Sequence, residues 1–143
     1  MAQKSKRTWL LNMLIVITLV GVALAYTAHY KNWTEIEKDS FRVFSGIYYL
    51  KIPFSEMDSV KMVDKIPSME RINGFSVKEI EKGVFKADSI GQAKVYVFVD
   101  KLSQSKIRVV YQDSLKMFLN YSDSTVTEST FKLLAEKIQP TKK

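Results

Sequence analysis

The chain has no cysteine, so it offers no disulfide framework, thiol nucleophile or thiolate metal site. Its one histidine, His29, has no second imidazole with which to form a dyad or a metal pair. A glycine-rich phosphate loop is missing, as is any ligand-spaced acidic cluster. The carboxylate pairs Glu56 with Asp58 and Glu79 with Glu81 read as solvated strand faces rather than acid–base machinery. Catalysis, cofactor and metal are therefore expected to be absent.

One further absence is local. Residues 9–26, WLLNMLIVITLVGVALAY, carry no charge and are apolar apart from Asn12, Thr18 and Gly21. At about 1.5 Å per residue such a helix spans roughly 27 Å, close to the ~30 Å bilayer core, and extension to Tyr30 would clear it. Trp9 at one end and Tyr26, Tyr30 and Trp33 at the other suit the headgroup boundary. A transmembrane helix over 9–30 is expected, behind a basic tail at 1–8. Lys4, Lys6 and Arg7 precede it with no acid among them, which holds the N-terminus in the cytoplasm and sends the remainder outward. The alternative is a cleavable secretory signal, with Ala23-Leu24-Ala25 as its processing site and a soluble exported ligand-binding protein as the product. No cysteine lies at 23–26, so a lipoprotein is excluded.

The formal charge of +7 overstates the basic character of the exported part. Setting Lys4, Lys6 and Arg7 aside leaves 19 of the 22 basic residues against 15 acidic ones. That balance argues against a nucleic-acid footprint, which needs basic residues gathered on one face.

Beyond the anchor, residues 31–40 read as a helical stalk, with Glu35 and Lys38 on one face. Short strands are expected at 42–44, 47–52, 60–63, 75–78, 83–87, 93–100, 106–111 and 115–121. Turns fall at Ser45-Gly46, Asn73-Gly74 and Ile90-Gly91, and 65–75 reads as a loop. The 93–100 strand, AKVYVFVD, sets Val95, Val97 and Val99 against Tyr96 and Phe98, which makes it central and covered on both faces. A helix over 124–138 is expected, with Thr125 and Glu128 as a capping box and Pro140 beyond its end. The β domain then runs over 41–139, with a tail at 140–143.

In order and spacing, IPFSEMDSVKMVDKIP (52–67), RINGFSV (71–77), GVFKADSIGQAKVYVF (83–98) and KIRVVYQDSLKMFLNYSD (106–123) resemble the bacterial pleckstrin-homology-like (PH-like) domain family found behind N-terminal membrane helices. The resemblance implies a pleckstrin-like roll, two nearly orthogonal antiparallel sheets with the terminal helix plugging one end. It implies no activity, because one fold hosts many functions. Many relatives carry two membrane helices, whereas this chain shows one. Phosphoinositide recognition in eukaryotic pleckstrin domains uses a basic cluster on the first strands, where this chain offers only Arg42 and Lys51.

These readings converge on a membrane-anchored, non-enzymatic binding or scaffolding module in a bacterial inner membrane, its domain periplasmic and its partner an envelope protein or peptide. Candidate partner contacts are Lys65, Met69, Arg71, Asn73 and Phe75 in the 65–75 loop, or an open sheet edge. Gly21 and Ala25 form a small-residue stripe through which two anchors could pack as a homodimer. Ser59, Ser89, Ser114 and Ser124 each follow an aspartate and match an Asp-Ser O-glycosylation pattern; the sequons at Asn32 and Asn120 are incidental. A periplasm-dependent reporter fused to the C-terminus should be active and a cytosol-dependent one silent; the reverse result overturns the orientation.

Overall fold

The computed structural model describes residues 2–87 and 93–138, the side chains of 2–5 and 27–30 excepted. Helix α1 (Ala2–Tyr30) is continuous, and its stretch Lys6–Tyr26, with mean hydropathy 2.2 and no burial, is long and apolar enough to cross a membrane. The basic residues at its start lie on the helix itself rather than on a separate tail.

The helical stalk does not form. Asn32–Ile36 is strand β1, and only Lys31 separates it from α1. Trp33 and Glu35 face out while Asn32, Thr34 and Ile36 turn inward, a period of two supported by the β-favouring Trp33, Thr34 and Ile36. The β domain accordingly starts at residue 32 rather than 41. β1 pairs with β2 (Ser40–Ser45), and β2 with β3 (Tyr48–Pro53), as a three-stranded antiparallel sheet. Gly46, at φ +62, turns β2 into β3.

A single 3-10 turn (Phe54–Glu56) leads to β4 (Met57–Val63), at one edge of a six-stranded sheet ordered β4-β8-β9-β7-β6-β5. The other members are β5 (Met69–Val77), β6 (Ile80–Ala87), β7 (Lys94–Val99), β8 (Lys106–Tyr111) and β9 (Leu115–Asn120). β9 inserts between β7 and β8, so β7 and β9 run parallel while the other pairs of the sheet are antiparallel. The chain is an N-terminal apolar helix, two sheets and a C-terminal helix, α2 (Ser124–Ile138), in the arrangement of a PH-like roll.

The stretch expected as a loop at 65–75 is mostly β5, and the reversal falls at Lys78-Glu79 rather than Asn73-Gly74. Gly74 and Gly83 lie directly opposite across β5 and β6, both with positive φ, so their flexibility serves close backbone approach instead of a turn. The helix cap moves as well. Asp123, not Thr125, holds the start of α2, its Oδ1 accepting from the Thr125 N–H (2.9 Å) and hydroxyl (2.6 Å). The Ile90-Gly91 turn and residues 139–143, Pro140 included, lie outside the described residues.

The main core joins Phe41, Val43 and Ile52 of the small sheet to Phe98, Ile107, Val109, Met117 and Leu119 of the large one, closed by Leu134 and Ile138 of α2. On the opposite face of the large sheet, Val95, Val97, Val99, Phe85 and Phe118 form a second cluster, covered by Val63, Ile66, Met69 and Leu102. β7 is thus buried on both faces, as its alternation requires.

A Cβ added at Gly74 would sit 2.2 Å from the Lys82 carbonyl oxygen, and one at Gly83 2.1 Å from that of Asn73. Either Gly→Ala substitution should lower the denaturation free energy by roughly 3 kcal/mol. Gly21→Ala, with nothing within 4 Å, should leave it unchanged.

Candidate functional site

The described feature that departs furthest from an apolar core lies where α1 enters the roll. Asn32, the second residue past the helix, is buried. Its Nδ2 donates to the carbonyls of Phe98 (2.7 Å) and Asn120 (2.8 Å), and its Oδ1 accepts from the Ser45 hydroxyl (2.6 Å). One side chain therefore ties the helix exit to β2, β7 and β9. Asn120 repeats the device: its Oδ1 accepts from the backbone N–H groups of Asp100 (2.8 Å) and Lys101 (3.1 Å), and its Nδ2 donates to the Lys101 carbonyl (2.7 Å).

Beside them Lys82 Nζ meets Asp100 Oδ1 at 3.0 Å, with Lys82 fully buried and Asp100 nearly so. Burial lowers the Lys82 pKa, against the pull of Asp100, and raises that of Asp100, against the pull of Lys82 and a hydrogen bond from the Asn32 N–H. Desolvation prevails in both residues. A second buried lysine, Lys106, donates to the carbonyls of Asp64 (2.7 Å) and Leu102 (2.5 Å), and burial lowers its pKa too. Next to this joint a cleft of about 380 Å³ is lined by Tyr26 of α1 and by Val77, Lys78, Glu79, Asp100 and Lys101.

Tyr111 and Tyr121 are buried as well. Tyr121 bonds through its hydroxyl to the Thr34 hydroxyl, and its N–H donates to Thr127 Oγ1 at 3.0 Å. Burial, with Tyr96 adding to it, pushes Tyr111 up to about 12. Among the described residues no group of three His, Cys, Asp or Glu side chains is placed to hold a metal ion.

The candidate contact residues separate. Lys65 is exposed in the β4–β5 connection, while Met69, Arg71, Asn73 and Phe75 lie along β5, with Arg71 and Asn73 exposed and Met69 and Phe75 half-buried. Asn73 Oδ1 accepts from the Tyr48 hydroxyl (3.0 Å), and the Arg71 guanidinium lies 5.7 Å from the centre of the Phe85 ring. They belong to an edge strand whose register shifts around an exposed Ile72. Gly21 and Ala25 are exposed on α1.

Ser59 is half-buried in β4, Ser114 is exposed in the β8–β9 turn, and Ser124 opens α2; Ser89 lies outside the described residues. Two of the preceding acids have structural partners: Asp58 accepts from the Asp113 N–H (2.7 Å) and Asp123 caps α2. Arg42 is paired with Glu37 and stands 3.8 Å from Glu35, while Lys51 stands 3.6 Å from Glu37, so neither is a free cation on the small sheet.

Two sheets with a terminal helix define the PH-like class. The family model described as Bacterial PH domain matches residues 34–114, more than half of the chain. The chain belongs to that family, and its C-terminal β9 and α2 lie beyond the match. Comparison with curated proteins and with solved structures finds no match.

Sequence reasoning passed over Asn32 and Asn120, which drew notice only as sequons, and over Lys82 and Asp100. The available signal was weak: a charge ending the apolar run of β7, and a lysine beside Gly83.

Lys82→Met leaves the buried Asp100 charge without its cation and should cost about 3–5 kcal/mol in chemical denaturation. With that cation gone, the folded pKa of Asp100 rises further above its unfolded value. The contribution of Asp100 is then full below the unfolded pKa and is lost as pH rises through the folded one. Lys82→Met combined with Asp100→Asn should recover most of the loss; additive costs would overturn the coupling.

Proposed function

We propose that the chain is a single-pass membrane protein that presents a non-catalytic PH-like binding module on the periplasmic side of a bacterial inner membrane. The observation that carries this reading is the absence of slack between helix and roll. α1 runs unbroken past Ala25 to Tyr30, and two residues later Asn32 is locked into the domain. A processing protease takes its substrate extended, whereas Ala23-Leu24-Ala25 lies within α1. Tyr26, just past that site, lines the joint cleft. On the anchor reading α1 and the roll stay one continuous unit, whereas cleavage after Ala25 would leave residues 26–30 as a short helical stub ahead of β1.

The binding surface we assign is the outer edge of β5. It terminates the large sheet and exposes Glu70, Arg71, Ile72, Asn73 and Ser76, so an extended peptide from an envelope protein could add along it. PH-like domains generally serve as non-catalytic binding modules, which agrees with this use.

Two measurements test the reading. Protein isolated from the envelope should begin at Met1 or Ala2 and resist carbonate extraction. A mature terminus at Tyr26 with release into the soluble fraction would instead establish the exported, cleaved form. For the edge, Ile72→Pro should abolish crosslinking of envelope peptides to β5 while leaving membrane retention intact.

A further inference from the structure

Among the described residues, one face of the small sheet is left largely uncovered, and that face is sorted by polarity. Trp33, Phe44 and Tyr49 are register partners across β1, β2 and β3, so their side chains share the outer face as one row. They are 61%, 41% and 50% exposed, and the Phe44 and Tyr49 rings stand 4.9 Å apart. The next outward row is Glu35, Arg42 and Lys51, charged throughout, with Arg42 and Lys51 ion-paired to Glu37 and Glu35 to Arg42. Two residues of strand separate the rows, roughly 7 Å. The aromatic row adjoins the end of the sheet where α1 arrives. Ile47 projects from the β2–β3 turn at that same end and is 75% exposed, the most exposed large apolar side chain among the described residues.

We infer that the aromatic row and the Ile47 tip sit in the headgroup layer of the bilayer that α1 enters, docking the roll against its own membrane. This inference rests on the anchor reading. Continuity with the anchor and the order of the rows select the bilayer as occupant: Trp33 lies three residues past the end of α1, and the face changes from aromatic to charged with distance from it. Indole and phenol rings favour the boundary between hydrocarbon and water, while a paired charged row belongs in water. The Asn32 bonds to the Phe98 and Asn120 carbonyls restrict the sheet from swinging away from the helix exit. Exposed Lys31 and Lys78, at the same end, add attraction to anionic headgroups, with Glu79 beside Lys78 opposing it in part. The site differs from a basic headgroup pocket, since its contacts are apolar and its only arginine is already paired.

The two tryptophans, Trp9 and Trp33, allow a direct test in the full chain. Each is left alone by the Trp33→Phe or Trp9→Phe variant, reconstituted in phosphatidylcholine–phosphatidylglycerol vesicles with lipids brominated near the headgroup end of their acyl chains. Trp33 emission should be blue-shifted and should lose most of its intensity to the brominated lipid, as that of Trp9 does. Adding Phe44→Ser and Ile47→Ser should restore the Trp33 emission while thermal unfolding shows the domain still folded. Quenching of Trp9 alone, with Trp33 open to aqueous iodide, overturns the docking and leaves the anchor standing; failure to quench either tryptophan overturns both. Trp33 quenching unchanged by the Ser substitutions overturns the inference by assigning the effect to tethering alone. A blue shift that depends on protein-to-lipid ratio without lipid quenching overturns it in favour of a second copy of this chain.

Discussion

The structure depends on a polar joint at the root of the roll. A buried amide must be satisfied, because each unmet donor or acceptor costs on the order of 1–3 kcal/mol, and Asn32 is satisfied only when β2, β7 and β9 have come together around it. The same demand applies to Asn120, which closes the chain around Asp100 and Lys101. Lys82 and Asp100 add a buried pair that tolerates few alternative partners. All of these groups find their partners together in this one arrangement, with the helix exit placed within it.

With the exit placed, the remaining geometry acquires a direction. β1 continues from α1 after one intervening residue, so the end of each strand near Asn32 is the end near α1. The β2–β3 and β5–β6 reversals share that end. Glu37, Lys38 and Asp39 join β1 to β2 at the other end. A sheet face that is aromatic at one end and charged at the other, and a long open edge on β5, are then two separate surfaces with separate chemistry.

Much of the fold was legible from local pattern. The alternation of 93–100 correctly indicated a strand covered on both sides, and the apolar spacing of Leu134 and Ile138 located the terminal helix. The stalk was misread because KNWTEIEKDS has tolerable helical propensity and a helical charge pair, while its alternation spans only five residues. β5 was misread because Pro67 and Asn73-Gly74 are ordinary turn signals; Gly74 instead admits the backbone of Gly83, a partner nine residues away that no local rule identifies. The candidate site was barely legible, since hydrogen bonds from Asn32 cross 66 and 88 residues of chain.

By itself the sequence determined the features that arise from short-range periodicity and composition: an apolar helix of membrane-spanning length, a mainly β domain with a terminal helix, and no thiol chemistry. Tertiary structure alone decided that β9 inserts between β7 and β8, that Lys82 finds Asp100, and that Trp33, Phe44 and Tyr49 form one row. Each of these is a pairing between distant segments. Its energy depends on register and burial, quantities that exist only once the chain has closed upon itself.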